Sequence, residues 1–261
     1  MAIKKYYSTA DNTITNAYKS DLTTKGTGSN MGQSDILEVF SLYAYQAETS
    51  SEMARILIDF PMDTIATDRT NGYIPASGSV RWYLNLYNAE HSRTLPRDYT
   101  LTVTQISGAW QEGRGLDMEN YSDSGSSNWT AASSNSAGVT AWTTQGGDYH
   151  AEPRFTASFV DGTEDIELDV SDAVERWIAG DRVNYGFGVR MENETAFSSS
   201  YTKKFFARES EFFFRRPVIE ARWDSATRDD RGNFMFSSSL ATSEDNLNTL
   251  YLYNRVRGRL R

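Results

Sequence analysis

One stretch of the sequence, residues 165–191 (DIELDVSDAVERWIAGDRVNYGFGVRM), constrains the possible folds more than any other. Its opening residues alternate acidic and apolar side chains, which is the period of a half-buried strand. Residues 172–179 then carry apolar side chains at helical spacing, and Gly180 follows as a helix-ending glycine does. Residues 185–191 alternate again and predict a second strand. Because a helix of about 8 residues is unstable alone in water, we expect it to cover the end or edge of a sheet and to bury Trp177 there.

The composition and the other periodic segments favour an all-β protein. Aromatic residues make up 13% of the 261 residues, and glycine, serine and threonine are abundant, as is typical of strands joined by many turns. Residues 80–87 (VRWYLNLY) and 99–106 (YTLTVTQI) show the clearest strand alternation. Residues 54–60 (ARILIDF) form a nearly continuous apolar run, which predicts a strand that is covered on both faces.

Charge, cysteine content and hydropathy disfavour several classes of protein. The formal net charge of −9 and the pI of about 4.9 make nucleic acid an unfavourable partner. The absence of cysteine excludes disulfides and thiolate metal sites, and it fits assembly in a reducing cytoplasm. No apolar run approaches the roughly 20 residues of a membrane-spanning helix, and the polar start of the chain predicts no signal peptide. We therefore expect neither nucleic acid nor a membrane as a partner.

The distribution of polar residues predicts three parts in the chain. Residues 1–30 are rich in threonine, asparagine and lysine and are interpreted as an N-terminal arm. Residues 31–223 contain the strand patterns and form the main β domain. Residues 224–261 are interpreted as a linker followed by a C-terminal strand or arm, or as the start of a second domain. Because arms of this composition bury little apolar surface alone, we expect them to become ordered on assembly.

Both predicted arms carry side chains that are suited to contacts with other subunits. Two phenylalanines in the linker, residues 224–240, are expected docking anchors. Arginines alternate near the C-terminus, so a single strand over residues 247–261 would present four guanidinium groups on one face. That face is either a solvated edge or a contact to an acidic neighbour, such as another copy of this chain. The candidate subunit contacts are Tyr6, Tyr7, Phe234, Phe236, Arg255, Arg257, Arg259 and Arg261.

The least regular segment, residues 108–147, interrupts the strand pattern with a region rich in serine, asparagine and glycine. Long insertions of this kind inside a compact domain usually serve function or packing. Its three tryptophans, Trp110, Trp129 and Trp142, favour a segment that folds back onto a core. They also leave open a stacking surface for sugars, for which Trp129 and Trp142 are the candidate glycan contacts.

The sequence carries no recognisable catalytic or metal-binding motif. Its two histidines, His91 and His150, do not occur in a zinc-binding arrangement, and no nucleophile elbow is present. Asp165, Glu167 and Asp169 share one strand face, as a pair of catalytic carboxylates or a calcium site would require, but the calcium-loop pattern is missing. A solvated strand face explains these carboxylates better. We therefore expect no enzymatic activity, no cofactor and no bound metal.

Eight segments follow one another along the chain in a recognisable order. They include ADNTIT at 10–15, RILIDF at 55–60, WTTQGGD at 142–148, LDVSDAVERWIAGDRVNYGFGVR at 168–190 and KKFFARESEFFFRRPVIEARW at 203–223. Together they resemble the DNRLRE family, a β-sandwich domain of bacterial surface and phage proteins, although Gln145 and Ala207 stand where that family usually has Pro and Ser. The resemblance implies an all-β, jelly-roll-like antiparallel β-sandwich with one short helix at about 172–179, followed by the linker and the start of a further strand region.

The same resemblance implies a set of structural residues. Arg55 and the adjacent pair Arg208 and Glu209 correspond to family positions that we expect to form buried or half-buried ion pairs. Such pairs fix strand register more reliably than they add stability. The residues expected in the structural core are Arg55, Trp82, Trp110, Trp177, Tyr185 and Glu209.

The chain is also similar to virion structural proteins of tailed bacteriophages, such as fibre, neck or tail components. The similarity rests on the MAIKKYY start without a leader, the absence of cysteine and the modular break near residue 224. It implies a non-enzymatic adaptor that binds other virion proteins and copies of itself through its arms, in a virion assembled in the bacterial cytoplasm. The alternative is a carbohydrate-binding or adhesive surface module that uses the tryptophan-rich segment.

Overall fold

The computed structural model describes residues 2–43, 49–90, 97–116, 126–136, 138–194, 200–226, 230–232, 234, 238–252, 255–256 and 259–260. The chain divides into two compact units, of which one is Ile3–Trp223 and the other consists mainly of Asp224–Arg261. The division falls where the sequence analysis placed the start of the linker. No helix in the described residues combines the length and the hydropathy that a membrane span requires.

The unit Ile3–Trp223 is an antiparallel β-sandwich with short helices, which confirms the predicted fold class. Its strands are, in chain order, β1 (Ala2–Tyr7), β2 (Ala10–Thr15), β3 (Ile36–Tyr43), β4 (Ser51–Asp59), β5 (Val80–Leu86), β6 (Tyr99–Ile106), β7 (Ala131–Asn135), β8 (Gly138–Ala141), β9 (Tyr149–Phe159), β10 (Ile166–Asp169), β11 (Phe187–Met191), β12 (Ser200–Phe206) and β13 (Val218–Trp223). The helices in the described residues are α1 (Met62–Thr70), α2 (Ser171–Ala179) and a 3-10 helix (Phe213–Arg215).

Two large sheets form the layers of the sandwich. The smaller sheet has the strand order β1-β13-β5-β10, and the larger one has the order β12-β3-β4-β11-β6-β9 with β2 also paired to β4. Strand β4 pairs with β2 and β3 along one side and with β11 along the other. This central position explains its nearly continuous apolar run, because both of its faces are covered. Strands β7 and β8 form a separate hairpin.

The main hydrophobic core draws side chains from both sheets. Trp82 and Leu84 of β5 contribute from the smaller sheet, and Ile56, Ile58 and Phe187 contribute from the larger one, all of them fully buried. Each of these positions belongs to one face of its alternating strand. Burial of a large apolar side chain stabilises a fold by about 1.5–3 kcal/mol, so these residues supply the main driving force for closing the two sheets.

Helix α2 is the short helix that the sequence predicts. It ends at Gly180, whose φ of 79° is the left-handed conformation typical of a helix-ending glycine. The helix buries Trp177, whose ring lies 4.8 Å from the ring of Phe187. Two residues before Trp177, the Glu175 carboxylate accepts a hydrogen bond of 2.7 Å from the indole N–H of Trp82. The helix is therefore held by tertiary contacts to both sheets.

Helix α1 is a second short helix, in addition to the one at about 172–179 that the family resemblance implies. It buries only Ile65, so it lacks the apolar stripe by which amphipathic helices are recognised. Polar contacts hold it instead: Arg69 forms a bidentate ion pair with Glu175 of α2 at 2.6 and 3.1 Å, and Asp68 accepts a 2.6 Å hydrogen bond from Tyr6. Contacts of this kind carry no periodic signal in the sequence.

A smaller hydrophobic cluster, which we call the outer cluster, lies on the opposite face of the larger sheet. Its side chains belong to β2, β4, β6 and the irregular segment 108–147, part of which folds back over the sheet. The buried members are Ile14, Leu57, Ile106, Trp129, Ala132 and Trp142, and the half-buried Met53, Trp110, Tyr149 and Tyr185 pack against them.

The predicted N-terminal arm over residues 1–30 is wrong, because β1 and β2 are integral strands of the two sheets. Tyr6 is buried in the main core and is therefore not a subunit contact in this unit. The amide of Asn12 is also buried: it donates a 2.8 Å hydrogen bond to Ser127 Oγ and accepts one of 2.8 Å from the backbone N–H of Met31. The polar composition was misleading because these side chains are buried and hydrogen-bonded rather than solvated.

The second unit is built mainly from turns. Its described residues between 224 and 252 include no buried side chain. Near its end, β14 (Arg255–Val256) and β15 (Arg259–Leu260) form a short antiparallel pair in which Arg255 lies opposite Leu260. The single strand predicted over residues 247–261, with four arginines on one face, is therefore wrong. Glycine at position 258 favours a turn over a continuous strand.

Candidate functional site

An open cleft of about 640 Å³ lies beside the outer cluster, where β4, β9 and β11 meet the end of the irregular segment. Tyr149 and His150 of β9 line it, together with three charged residues: Arg55 of β4, Arg190 of β11 and Asp148, which directly precedes β9. Hydroxyl groups add further hydrogen-bonding capacity. The polar lining residues are Arg55, Ser107, Thr143, Thr144, Asp148, Tyr149, His150 and Arg190.

Glycines create the space that the ring of Tyr149 occupies. A Cβ atom at Gly188 of β11 would overlap the ring, and so would a Cβ atom at Gly147, whose φ of 103° already disfavours other residues. The Tyr149 hydroxyl donates a 2.7 Å hydrogen bond to the carbonyl oxygen of Gly146. Burial raises the pKa of Tyr149 to about 12, so the phenol stays protonated at neutral pH.

Arg55 of β4 stabilises the cleft through its contacts with Glu194 and Gly146. Its guanidinium forms a bidentate ion pair with Glu194 at 2.9 and 2.6 Å and donates a 2.8 Å hydrogen bond to the carbonyl oxygen of Gly146. The same group lies 5.1 Å from the ring of Trp129 and 5.8 Å from the ring of Tyr149. Because both members of the pair are largely buried, Arg55 fixes the position of the irregular segment and is not available to an incoming ligand.

Arg190 of β11 is the free positive charge of the cleft. Its guanidinium lies 5.5 Å from the Tyr149 ring and forms no ion pair or hydrogen bond with the described residues. The carboxylate of Asp148, by contrast, is held in a turn, where it accepts hydrogen bonds of 2.8 and 2.9 Å from the backbone N–H groups of Thr143 and Thr144. The cleft therefore offers one unpaired guanidinium, several hydroxyls and one oriented carboxylate, which suits binding of a polar ligand.

His150 is the one histidine in the described part of the chain, and it lies at the rim of this cleft. Partial burial and the nearby Arg182 lower its pKa below the usual value, so the imidazole is neutral at neutral pH. Among the described residues it hydrogen-bonds to no carboxylate, and no hydroxyl nucleophile is paired with it. Among the described residues, His150 therefore does not belong to a hydrogen-bonded set of nucleophile, base and orienting group.

The tryptophans proposed as glycan contacts are not a stacking surface. Trp129 and Trp142 are 4% and 6% exposed and belong to the outer cluster. The indole N–H of Trp142 donates a 2.8 Å hydrogen bond to the carbonyl oxygen of Asn128, so even its polar edge is satisfied internally. The prediction is wrong because this segment uses its aromatic rings to cover the sheet, which leaves no free face for a sugar.

The remaining tryptophans and Tyr185 also have packing roles. Trp82 and Trp177 are buried in the main core. Trp110 is half-buried at the outer cluster, where its indole N–H donates a 2.8 Å hydrogen bond to the carbonyl oxygen of Tyr185. The prediction of structural roles for these residues thus agrees with where the structure places them.

Glu209 is exposed and does not belong to the core, contrary to the prediction. It forms a 2.6 Å ion pair with Arg208, and the same guanidinium forms a bidentate ion pair with the less exposed Glu112 at 2.9 and 3.0 Å. Glu112 also accepts a 2.8 Å hydrogen bond from the backbone N–H of Asp11. Sequence reasoning missed this partner because Glu112 lies about 100 residues away in the irregular segment.

Asp11, next to this ion pair, is fully buried. One carboxylate oxygen accepts a 2.6 Å hydrogen bond from the backbone N–H of Arg208, and the other has no hydrogen-bond partner in the described part of the chain. Burial is the largest cause that raises the pKa of Asp11 to about 7. No signal in the sequence distinguishes this aspartate from a solvated one.

Lys203 of β12 is another buried charge that the sequence did not reveal. Its ammonium group donates hydrogen bonds of 2.6, 3.0 and 2.7 Å to Asn88 Oδ1 and to the carbonyl oxygens of Gly162 and Glu164. Burial lowers its pKa to about 8. Because all three of its protons are donated to protein oxygens, Lys203 ties the 162–164 turn to β12 and is not available for chemistry.

The carboxylates on β10 and beside it are exposed, and each has its own partner. Glu167 pairs with Arg222 at 2.6 Å, and Asp169 lies 3.4 Å from Arg81. Asp165 accepts a 2.7 Å hydrogen bond from the backbone N–H of Asn88. In the part of the chain that the structure describes, no group of three or more metal-ligating side chains comes together.

The structure does not describe the side chains of several residues that the sequence analysis singled out. Phe236, Arg257, Arg261 and His91 lie outside the described residues, and for Arg255 and Arg259 the structure describes the backbone alone. Phe234 is exposed, and Tyr7 is half-buried with its ring 4.5 Å from that of Phe213.

The sequence matches no protein-family model and none of the curated proteins with which it was compared.

Proposed function

We propose that this chain is a non-enzymatic structural component of a tailed-phage virion, a tail, neck or fibre protein built on a DNRLRE-type β-sandwich. In this proposal the sandwich is a rigid body and the segment after Trp223 binds other virion subunits. The location is the virion, assembled in the host bacterial cytoplasm. The proposal includes no N-terminal arm, because β1 and β2 are strands of the two sheets.

The observation that carries the proposal is the exposure of large apolar side chains in residues 224–252. Leu240 and Leu252 are 97% and 89% exposed, and none of the described residues in this segment is buried. A segment that buries no apolar surface does not offset the entropy lost when it becomes ordered. Contact with a partner would cover these side chains. The exposed members are Phe234, Leu240, Leu247, Leu250, Tyr251 and Leu252.

The absence of an enzymatic role is supported by the chemistry of the cleft. Its carboxylate and its tyrosine hydroxyl are engaged in internal hydrogen bonds, and its histidine has no paired nucleophile among the described residues. Acid–base catalysis needs a base within hydrogen-bonding reach of a reacting group and oriented by a third residue. The cleft therefore fits binding better than turnover.

The test is incorporation into particles. Phage that lack the gene are grown in cells that supply the full chain or a variant, and purified particles are analysed by quantitative mass spectrometry. We expect the parent chain at a fixed copy number and the L240S/L247S/L252S variant at less than about a tenth of that level, a loss on the scale of a binding hot spot.

The matched control for this test is Leu116→Ser, which replaces a leucine of the sandwich that is 56% exposed. We expect this variant to be incorporated normally, because single exposed leucines are common on protein surfaces. Absence of the parent chain from purified particles would contradict the virion role. Normal incorporation of the triple variant would show that the C-terminal segment is not the contact.

The carbohydrate-binding alternative keeps one supporting observation, which is the cleft itself. Arg190 and the hydroxyls of Thr143 and Thr144 could hydrogen-bond to a saccharide without any role for the buried tryptophans. A glycan array probed with the parent chain, Arg190→Ala and the control Arg97→Ala would test it. Binding that is lost in Arg190→Ala and kept in Arg97→Ala would favour this function, and no binding by the parent chain would count against it.

A further inference from the structure

The cleft beside the outer cluster contains two neighbouring arginines but, among the described residues, a carboxylate partner for one of them alone. The register of β11 against β4 pairs Val189 with Ile56. Arg190 and Arg55, the next residue along each strand in this register, lie side by side, and both line the cleft. Glu194 neutralises Arg55 in a bidentate ion pair. Because like charges on neighbouring strands repel each other, the uncompensated charge of Arg190 favours a further anion at this place.

The other polar groups around Arg190 are engaged elsewhere. Glu192, two residues further along the chain, forms an ion pair with Arg154 of β9. Thr102, which lies opposite Arg190 on β6, accepts a 3.2 Å hydrogen bond from the same Arg154. Asp148 accepts hydrogen bonds from two backbone N–H groups and forms no ion pair with the described residues. The half-buried guanidinium of Arg190 is thus partly desolvated without an anionic partner, and a bound anion would offset that cost.

The remaining polar side chains of the cleft carry no charge. The hydroxyl groups of Ser107, Thr143 and Thr144 belong to exposed residues that line the cleft. The neutral imidazole of His150 offers one hydrogen-bond donor and one acceptor. Arg182 lies close enough to this imidazole to act on it electrostatically, so it adds positive charge near the rim. The cleft therefore combines a positive local charge with groups that both donate and accept hydrogen bonds.

The size and lining of the cleft favour a saccharide over a segment of another protein. Its volume of about 640 Å³ lies within the roughly 300–1,000 Å³ that is typical of small-molecule sites. Among the described residues that line it, the largest aliphatic side chain is the methyl group of Ala151. A protein partner derives most of its affinity from large side chains in desolvated pockets, which this lining does not offer. A saccharide presents mainly hydroxyl groups, which match the hydroxyls and the imidazole of the cleft.

We propose that the cleft binds a saccharide that carries one negatively charged group, either a carboxylate or a sulfate ester. Arg190 pairs with this group, because a planar guanidinium binds oxyanions through two parallel hydrogen bonds. The carboxylate of Asp148 has about four acceptor positions and accepts two hydrogen bonds from the backbone, so it can also accept one from a sugar hydroxyl. The hydroxyls of Thr143 and Thr144 bind the uncharged part of the sugar. One negative charge on the ligand balances the one unpaired arginine.

The test is isothermal titration calorimetry of the full chain with D-glucuronate, D-glucose 6-sulfate and D-glucose at low ionic strength. We expect at least one charged sugar to bind roughly tenfold or more tightly than glucose, as a charge-assisted hydrogen bond provides. Arg190→Ala should reduce the affinity for that sugar to the affinity for glucose. Arg190→Lys should keep part of it, because an ammonium group does not form the bidentate pair. The control Arg97→Ala removes an exposed arginine outside the cleft and should bind like the parent chain.

Nuclear magnetic resonance spectra of the parent chain locate the bound sugar without relying on a variant. On addition of the charged sugar, the amide signals of Thr143, Thr144 and His150 should shift, whereas those of β13 in the smaller sheet should not. Arg190→Ala should unfold at a temperature at least as high as the parent chain, because it removes the repulsion with Arg55. If this variant does not fold, the shifts in the parent chain decide whether the cleft is the site.

Three results would overturn the inference. Equal affinity for all three sugars, or no binding of either charged sugar, would remove the role of the negative group. Shifts confined to residues outside the cleft would place the site elsewhere. Tighter binding of a tri-glutamate peptide than of both charged sugars would assign the cleft to an acidic protein partner.

The inference concerns the cleft of the sandwich and does not rest on the virion role. It uses the same cleft as the carbohydrate-binding alternative and adds the requirement for a negative charge. Arg190→Ala should be incorporated into particles like the parent chain, and L240S/L247S/L252S should bind the charged sugar like the parent chain. Particles without the parent chain would contradict the virion role alone, whereas loss of the preference for charged sugars would contradict the inference alone.

Discussion

The two units of this chain differ in how they use their apolar residues. In the sandwich, large side chains such as Trp82, Phe187 and Ile58 are fully buried between two sheets. In the described part of residues 224–252, comparable side chains such as Leu240 and Leu252 are almost completely exposed, and turns held by local hydrogen bonds take the place of a core. Burial of this kind favours a first unit that is stable alone, whereas the described residues of the second unit leave their large apolar side chains in water.

This difference predicts that the two units differ in rigidity. A rigid sandwich can hold a fixed surface in place, such as the cleft around Arg190. A segment without buried side chains can adapt to the shape of whatever it binds, at the cost of the ordering entropy. Substitutions in the two units should therefore have opposite consequences for stability and for binding.

The largest effect on stability is expected for Trp177→Ala. The variant removes the ring that α2 buries against Phe187 and leaves a cavity at the end of the main core. We expect the free energy of unfolding to fall by about 3–5 kcal/mol, measured by urea denaturation followed by far-ultraviolet circular dichroism. Trp110→Ala, at a half-buried position, should cost clearly less. Equal losses in both variants would break the distinction between the main core and the outer cluster.

A smaller but still clear loss is expected for Asn30→Ala. The buried amide accepts hydrogen bonds from the N–H groups of Gly32 and Gly115 and donates to the carbonyl oxygens of Glu112 and Ser127. Removing it leaves buried backbone groups unpaired, which costs about 1–3 kcal/mol.

Hydrogen exchange should show where that loss occurs. In Asn30→Ala the amides of Gly32 and Gly115 should exchange faster, because they lose their hydrogen bonds to the Asn30 side chain. The amides of β11 should stay protected, because they take no part in these hydrogen bonds. The control Asn71→Ala, at an exposed position, should change stability by no more than about 0.5 kcal/mol. Uniform loss of protection throughout the sandwich would contradict a local effect of the hydrogen bonds formed by Asn30.

A pH-dependent effect is expected for Asp11→Asn. The folded-state pKa of Asp11 is raised to about 7 from an ordinary value of 3.8, so the folded state binds the extra proton between these values. Its contribution to stability is therefore greatest below about pH 4 and is lost as the pH rises through 7. The neutral variant should raise the free energy of unfolding at pH 8 by about 1–2 kcal/mol and leave it nearly unchanged at pH 4. An equal effect at both pH values would contradict a buried neutral carboxyl.

The smallest effect on stability is expected for L240S/L247S/L252S. These side chains are exposed, so their replacement should change the free energy of unfolding by less than about 0.5 kcal/mol. The measurement is the same urea titration. A loss of 2 kcal/mol or more, on the scale of a core substitution, would show that the segment shares a core and would remove the contrast between the two units.

The elements that the sequence predicted well are those whose side chains alternate between water and the core. Helix α2 with its final Gly180 and strand β5 follow this rule, and strand β4 shows the continuous apolar run of a strand that is covered on both faces. Their burial depends on local periodicity, which can be read from neighbouring residues.

The elements that the sequence missed depend on contacts between distant residues. Asn12 and Asp11 belong to a segment with the composition of a solvated arm, yet both are buried and form hydrogen bonds with Ser127 and Arg208, which lie more than 100 residues away. Helix α1 is held by an ion pair to α2 and not by an apolar face. Arg190 is one cation in an apolar strand, and only the folded sheet shows that it faces an open cleft and forms no ion pair with the described residues. Contacts between such distant residues leave no periodic pattern in the sequence from which they could be predicted.

Hydrogen–deuterium exchange of the isolated full chain tests the contrast between the two units most directly. We expect strand amides of the sandwich, such as those of β4 and β11, to remain protected for hours while amides of residues 224–252 exchange at the first time point. Lasting protection of residues 224–252 in a monomeric sample would contradict the account, because it would show that the segment is already ordered without a partner.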